Sequence, residues 1–177
     1  MNKAVKILLT GSPGCGKTTA VMKIVEALSD IVTVGFYTEE IIAGGKRTGF
    51  RWKRLDGREG ILAHVDIKSG VSVGRFRVDV PAFEDGVVTV LDLQRSTADL
   101  FVIDEIGKME CLSKSFVWVV RKLLNSPNSV LATVAQKGTE LMDEVKHRAD
   151  TQLLVVNHQN MDAIVSQVVD LVRGSLG

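Results

Sequence analysis

The sequence predicts an α/β fold, and two observations carry that prediction. Apolar runs of strand length alternate with amphipathic helical patterns along most of the chain. The first strand, the loop after it, the first helix and the second strand have the order of a βαβ unit. A chain of 177 residues has the usual length of one domain, and we expect residues 1–177 to form one.

The βαβ unit is predicted over residues 4–38. Residues 4–9 (AVKILL) form a largely apolar run that is typical of a buried strand. A glycine-rich loop follows, and apolar residues recur at helical spacing from Lys17 to Ser29. Residues 31–38 (IVTVGFYT) are rich in β-branched and aromatic residues, which predicts a second strand paired in parallel with the first.

Short strands and turns are predicted between Glu39 and Phe83. Strand-like pieces, for example residues 48–55 and 60–65, are separated by glycine-containing turns, a pattern typical of β-hairpins. After Phe83 the pattern becomes helical, and we expect it to stay so to Ala98.

The rest of the chain returns to alternating strands and helices. Residues 100–105 (LFVIDE) are an apolar run that ends in two acids, which predicts a central strand whose carboxyl end faces a site. Ser113 has N-cap chemistry for a helix to about Asn125, on which Trp118 is expected to pack with its apolar neighbours. Further strands are predicted over residues 129–135 and 151–156, and further helices from Thr139 and after Asn160.

A phosphate-binding loop is predicted between the first strand and the first helix. Gly11, Gly16, Lys17 and Thr18 fit the pattern G-x-x-x-x-G-K-[ST], in the strand, loop and helix context that the pattern requires. Glycines allow successive backbone N–H groups to face phosphate oxygens, and the helix start adds partial positive charge. The residues expected to bind the nucleotide are Gly11, Ser12, Pro13, Gly14, Cys15, Gly16, Lys17, Thr18 and Thr19.

Four side chains have predicted roles in the chemistry. The Lys17 ammonium supplies a mobile charge for the β- and γ-phosphates, which makes it a catalytic candidate. The Thr18 hydroxyl and the Asp104 carboxylate are oxygen ligands suited to Mg²⁺, the expected cofactor. Glu105 can orient and deprotonate a water for attack on the γ-phosphate, so it is the candidate catalytic base. Hydrolysis of a nucleoside triphosphate is therefore the leading prediction.

A second interpretation of the same acids is a GTPase switch, because DEIG (104–107) also fits D-x-x-G. Residues 155–160 (VVNHQN) match the guanine-reading element N-K-x-D only in part. His158 stands at the position of the lysine, and Asn160 replaces the aspartate whose carboxylate would accept from guanine. We therefore expect weak discrimination among bases.

The net charge, the apolar runs and the cysteines limit which partners the protein is expected to bind. The formal net charge is +1, with 22 basic and 21 acidic residues, so no overall field favours nucleic acid or an anionic membrane. The apolar runs are far shorter than the roughly 20 residues of a transmembrane helix. Cys15 and Cys111 make neither a disulfide framework nor a metal cluster, and we expect a cytoplasmic protein. The expected partners are nucleoside triphosphates; neither nucleic acid nor a membrane is indicated, and no protein partner is identified.

Most of the chain resembles a family of small nucleoside-triphosphatases, found in thermophiles and, in animals, as the cancer-related NTPase. The resemblance rests on the phosphate loop and on GFYTEE (35–40), RTGF (47–50), DGREG (56–60), GRFRVDVPAFE (74–84) and VIDEIGKMEC (102–111). It implies one three-layer P-loop NTPase domain of RecA-like, additional-strand type: a mostly parallel sheet flanked by helices, with an inserted β-hairpin region. It also implies Mg²⁺-dependent release of phosphate from ATP, GTP, CTP and UTP with little base preference.

The resemblance carries over to individual residues. It implies that Gly11 to Thr19 form the phosphate loop, that Asp104 is the metal-associated acid and that Glu105 is the base. Lys108 and Glu110 belong to the same motif; a solvated ion pair between them is favoured over an approach of Lys108 to the γ-phosphate.

Further candidates are a cation for the transition state and a partner of the attacking water. Arg47 is a candidate cation, because it lies in a glycine-flanked stretch that could form a flap over the nucleotide. Thr133 ends an apolar strand and could hydrogen-bond the attacking water or the γ-phosphate. Asn157 and His158 could contact the base at the carboxyl edge of the sheet. The other arginines considered are Arg51, Arg75, Arg77 and Arg148.

Two other functions would use the same loop. A kinase would transfer the γ-phosphate to a nucleotide or another small acceptor, which the basic hairpin region could clamp. A nucleotide switch would bind tightly, turn over slowly and capture a partner. The position of Glu105 and the lack of a clearly delimited arginine-rich lid favour hydrolysis.

Overall fold

The computed structural model of the protein describes residues 4–177; the first three residues of the predicted domain lie outside this range. Nine strands in the described range form one sheet. The strands are β1 (Lys6–Thr10), β2 (Thr33–Ala43), β3 (Lys46–Arg54), β4 (Glu59–His64), β5 (Val71–Val73), β6 (Phe76–Val78), β7 (Leu100–Ile106), β8 (Ser129–Val134) and β9 (Gln152–Val155). The helices are α1 (Lys17–Ala27), α2 (Val80–Gly86), α3 (Lys114–Leu124), α4 (Glu140–Lys146) and α5 (Met161–Leu176).

The sheet has a parallel half and an antiparallel half, in the order β5-β6-β4-β3-β2-β7-β8-β1-β9. Strands β2, β7, β8, β1 and β9 pair in parallel, whereas β3 to β6 continue the sheet from β2 as antiparallel hairpins, as the segment from Glu39 to Phe83 predicts. The predicted direct pairing of the first two strands is wrong, because β7 and β8 lie between β1 and β2. Strand β8 lies between β7 and β1.

Alternation of side chains along the central strands creates a core on each face of the sheet. In β7, Leu100 and Val102 join a cluster with residues of α1 and α5, whereas Phe101 and Ile103 join a cluster with α2, α3 and α4 on the opposite face. All four side chains are fully buried. Helices on both faces explain why these strands read as continuous apolar runs, and they make the domain three layers deep.

The helix predicted after Phe83 needs correction at both of its ends. The helix expected after Phe83 begins earlier, at Val80, where Asp79 accepts a hydrogen bond from the Ala82 N–H at 3.0 Å, and α2 ends at Gly86. A 3₁₀ turn follows from Val88 to Leu91, and the segment to Ala98 is not helical. Gly86 and the β-branched valines after it disfavour a longer helix.

Of the two N-caps predicted at Ser113 and Asn160, the structure confirms the first. The Ser113 hydroxyl accepts from the Phe116 N–H at 2.9 Å, and α3 ends beside Asn125, as predicted. Asn160 precedes α5, but its side-chain oxygen accepts from the Asn157 N–H in the preceding loop. Packing of Trp118 was predicted wrongly, since this residue is 61% exposed. Between residues 4 and 177, no helix combines the length and hydropathy needed to cross a membrane.

Candidate active site

The phosphate loop connects the end of β1 to the start of α1, at the carboxyl edge of the sheet. Gly14 and Gly16 have φ angles of 74° and 95°, in the region that a glycine adopts without strain. A side chain on Gly16 would also overlap Met161 of α5. Cys15 is buried in the core between α1 and α5, while Ser12, Pro13 and Gly14 are exposed at the surface of the loop. The two glycines therefore let the loop curl against α5 with its outer residues open to solvent.

The Lys17 side chain folds back across this loop. Its ammonium donates to the carbonyl oxygen of Gly11 at 3.1 Å and to that of Ser12 at 3.4 Å. These carbonyl contacts hold the ammonium over the concave side of the loop. In this position the charge of Lys17 lies at the mouth of the predicted phosphate cradle.

Asp104 joins three elements of the parallel half through its two carboxylate oxygens. Thr18 at the start of α1 donates its hydroxyl to Asp104 Oδ2 at 2.6 Å, and Thr133 of β8 donates to Asp104 Oδ1 at 2.5 Å. Asp104 is only 2% exposed, and this burial raises its pKa above the ordinary range, opposed by the two hydroxyl donors and by the charge of Lys17. Thr133, a candidate partner of the attacking water or the γ-phosphate, donates its hydroxyl to Asp104.

Glu105 lies beside Asp104 where the pairing of β7 with β8 shifts register, between Ile103 and Ile106. Its carboxylate is partly buried and lines the same cavity as the phosphate loop. Burial and the neighbouring charge of Asp104 raise the pKa of Glu105, and the Lys17 ammonium opposes that rise. A raised pKa is the direction in which a carboxylate becomes a stronger proton acceptor near neutral pH.

A cavity of about 670 Å³ brings the predicted site residues together. Its lining comes from the phosphate loop and the start of α1, from Asp104 and Glu105, and from the β2–β3 hairpin, whose share of the lining is called the hairpin wall. Four carboxylates and two cations line it, namely Glu39, Glu40, Asp104, Glu105, Lys17 and Arg47. Of the predicted nucleotide-binding residues, Pro13, Gly14, Gly16, Lys17, Thr18 and Thr19 line the cavity, whereas Gly11, Ser12 and Cys15 are not among its lining residues.

The sequence motifs did not identify most residues of the hairpin wall. Thr38, Glu39, Glu40 and Phe50 all line the cavity. The available signal was positional, since β2 runs parallel to β7 and carries Thr38, Glu39 and Glu40 beyond the same edge of the sheet, while Phe50 on β3 pairs with Glu40.

A second cavity of about 240 Å³ meets the first at Thr38, Phe50 and Glu105. Its other lining residues are Leu62, Val73, Lys108, Met109, Glu110, Ala135 and Lys137. Glu110 is only 5% exposed, and burial, with the neighbouring charge of Glu105, raises its pKa to about 8. The ion pair predicted between Lys108 and Glu110 is not among the salt bridges of residues 4–177. Lys108 is exposed instead, so Glu110 is a buried carboxyl group and not a solvated one.

Several weaker candidates hold the fold together away from the cavity. Arg148 binds Asp150 and the α3 end, and Arg77 donates to the Gly70 carbonyl oxygen at 3.1 Å. The Asn157 side-chain oxygen accepts from the N–H groups of Gln159 and Asn160, each at 2.9 Å. That oxygen therefore shapes the turn between β9 and α5.

Comparisons with known proteins place this geometry in context. A family model described as NTPase matches residues 6–169. The chain is 38% identical to nucleoside-triphosphatase THEP1 of Thermotoga maritima over 173 residues, covering 98% of each chain. It is 36% identical to the human cancer-related nucleoside-triphosphatase over 184 aligned positions, covering 96% of this chain and 97% of the human one.

Two solved structures share the fold. The crystal structure of THEP1 from Aquifex aeolicus has a TM-score of 0.85 at 35% identity, covering 95% of this chain and 99% of that one. The solution structure of the human cancer-related nucleoside triphosphatase has a TM-score of 0.82 at 35% identity, covering 97% and 99%. These likenesses confirm the predicted fold class along nearly the whole chain.

Proposed function

The chain belongs to the NTPase family and is a nucleoside-triphosphatase, and from that premise we propose that it releases phosphate from ATP, GTP, CTP and UTP with Mg²⁺ and little base preference. One contact carries the proposal: the Thr18 hydroxyl is 2.6 Å from the Asp104 carboxylate, directly beside Glu105. It joins the start of α1 to the acidic end of β7, so the oxygen ligands and the acid needed for hydrolysis adjoin the phosphate cradle.

The donor set fits Mg²⁺. Thr18 and Asp104 supply a hydroxyl and a carboxylate oxygen, and Mg²⁺ in nucleotide sites prefers one or two such ligands together with phosphate oxygens and water. Among residues 4–177 no cluster of three or more His, Cys, Asp or Glu residues could hold a metal on its own, which favours a metal that arrives with nucleotide. When bound, Mg²⁺ supplies charge neutralisation between the β- and γ-phosphates.

Loop residues Gly11 to Thr19 bind the phosphates in this proposal, with Lys17 released from its carbonyl contacts to pair with the β- and γ-phosphate oxygens. Glu105 orients the attacking water. The water oxygen forms a bond to the γ-phosphorus while the bond to the β–γ bridging oxygen breaks. One water proton passes to Glu105, and the leaving diphosphate keeps the electron pair.

Weak base discrimination is supported by the turn after β9. The Asn157 carboxamide oxygen accepts two backbone hydrogen bonds, and His158 and Asn160 lack the chemistry that reads guanine. None of these three residues lines the cavity of about 670 Å³.

Phosphate release from each of the four nucleotides with Mg²⁺ tests the proposal, with the wild type compared with Glu105→Gln. Glu105→Gln keeps the side-chain shape but removes the proton acceptor, so we expect kcat to fall at least about 100-fold while Mg-nucleotide affinity stays within a few-fold. Rates for the four nucleotides within about 10-fold of one another would support broad specificity. Undiminished hydrolysis by Glu105→Gln would remove the base assignment.

The second cavity favours one alternative, a kinase. An acceptor seated between Lys108, Lys137 and Glu105 would approach the γ-phosphate from the side opposite the phosphate loop. Diphosphate formation that requires an added nucleotide or small acceptor, with little release of inorganic phosphate, would establish that alternative and overturn hydrolysis into water.

A further inference from the structure

Arg47 belongs to the hairpin wall of the cavity of about 670 Å³, which the phosphate loop also lines. Of the arginines in the described part of the chain, it is the one that lines this cavity. The remaining cation in the lining is Lys17, which belongs to the phosphate loop itself. Arg47 therefore adds a second cation to the lining, from an element other than the phosphate loop.

The guanidinium of Arg47 is held by contacts that are readily exchanged. Its Nη2 is 2.8 Å from Oε1 of Glu40, and the two side chains are 46% and 50% exposed. The guanidinium carbon also lies 5.4 Å from the centre of the Phe50 ring. A half-exposed ion pair stabilises the molecule little, so a phosphate oxygen in the cavity can replace Glu40 as the partner.

The backbone that carries Arg47 is anchored close to the residue and free at the hairpin tip. Arg75 donates a hydrogen bond to the Arg47 carbonyl oxygen, and Gly44 and Gly45 form the turn with φ angles of 55° and 72°. The space around both glycines is open. The backbone of β3 is thus held at Arg47, so an exchange of Glu40 for another partner involves the side chain.

We propose that Arg47 is a catalytic residue that this chain supplies to its own site, where it leaves Glu40 and pairs with the γ-phosphate as the transition state forms. This inference rests on the proposed hydrolysis. As the water oxygen bonds to the γ-phosphorus and the bond to the bridging oxygen breaks, negative charge spreads over the equatorial and leaving oxygens. Arg47 neutralises that charge as a hydrogen-bond donor and takes no proton.

Steady-state phosphate release from Mg-ATP by wild type, Arg47→Ala, Arg47→Lys and Arg77→Ala tests the assignment. Arg77 is the matched control, since it lies on β6, which β4 separates from β3, and binds the Gly70 carbonyl oxygen outside the cavity lining. We expect Arg47→Ala to lower kcat at least about 100-fold, Arg47→Lys to restore part of the rate, and Arg77→Ala to stay within about threefold of wild type.

Two binding measurements separate a transition-state role from ordinary nucleotide binding. Affinity for Mg-ADP should stay within about threefold in Arg47→Ala, whereas capture of ADP with aluminium fluoride, which mimics the transferring phosphoryl group, should fall in proportion to kcat. Thermal melting of each variant checks that it is folded.

A kcat of Arg47→Ala within threefold of the Arg77→Ala value would overturn the role of Arg47, as would an equal loss of Mg-ADP affinity and kcat. A wild-type protein that releases no phosphate, yet whose capture of ADP with aluminium fluoride depends on Arg47, would overturn the hydrolase proposal and keep this one.

Discussion

At the scale of single residues, Glu110 is a carboxyl group held almost entirely out of solvent. Burial raises its pKa to about 8, whereas the unfolded chain leaves it near the usual value of about 4.3 for glutamate. Between these values the unfolded chain releases a proton that the folded protein retains. The Glu110 contribution therefore lowers stability as pH rises through this window.

Glu110→Gln should remove that dependence, because the amide has the same shape and no charge. We expect the variant to gain stability relative to wild type by about 1 kcal/mol for each pH unit between pH 5 and 8, and to show little difference below pH 4. Urea unfolding at several pH values measures it. Glu26→Gln on the exposed face of α1 is the control and should change stability by less than about 0.5 kcal/mol at every pH. Parallel curves for wild type and Glu110→Gln would contradict the buried, proton-retaining state.

Residue types and spacing were enough to predict the phosphate loop and the paired acids, because each motif residue acts through local backbone geometry. They were not enough for Thr133 or Glu110. The hydroxyl of Thr133 contacts Asp104 only because β8 lies beside β7, and Glu110 lines the same cavity as Phe50 and Leu62 from the distant hairpins. Such contacts are decided by strand order, which a single sequence does not specify locally.

At the scale of elements, the N-cap residue of α3 both accepts and donates a hydrogen bond. The Ser113 hydroxyl accepts from the Phe116 N–H at 2.9 Å and donates to the Glu84 carboxylate at 2.6 Å, and Ser113 is fully buried. Ser113→Ala would leave the first turn of α3 and the Glu84 carboxylate without these partners. We expect a loss of about 1 to 2 kcal/mol in the free energy of unfolding.

Ser115→Ala is the matched control for that prediction, because Ser115 lies in the same turn of α3 and is exposed. Chemical denaturation of both variants measures the difference, and Ser115→Ala should stay within about 0.5 kcal/mol of wild type. Equal stability of the two variants would show that the cap contributes nothing to α3.

Elements with strong local signals were predicted closely, and those decided by long-range packing were not. Strand β7 and helix α3 begin and end within a residue or two of their predicted bounds. The helix predicted to Ala98 fails because the N-cap at Asp79 and the glycine at 86 set a short α2. Trp118 shares α3 with buried residues but faces outward, where Lys122 lies 5.1 Å from its ring centre.

At the scale of the whole molecule, nucleotide binding is linked to global stability, because the loop and Asp104 meet only in the folded protein. A non-hydrolysable Mg-nucleotide at about 100 times its Kd should stabilise the fold by about 2.7 kcal/mol and raise Tm by several degrees. Lys17→Ala should lose most of this shift and most of the turnover, since one charge serves both bound states.

Thermal melting with and without the ligand measures the effect, and Lys23→Ala is the control. Lys23 also lies on α1, but it pairs with Asp162 on the solvent side at 2.8 Å. A full ligand shift in Lys17→Ala would show that the ammonium does not contact the nucleotide. An unchanged shift in Lys23→Ala would assign the effect to position 17 and not to α1 as a whole.

The charges lining the cavity also decide which form of the substrate is captured. Four carboxylates face two cations there, so an uncomplexed nucleotide polyanion meets repulsion, whereas a nucleotide already carrying its metal arrives with part of its charge cancelled. With the Mg²⁺-dependent hydrolysis proposed above, we expect turnover to follow the concentration of the preformed metal complex. Chelation of the metal should then stop turnover even while total nucleotide remains constant.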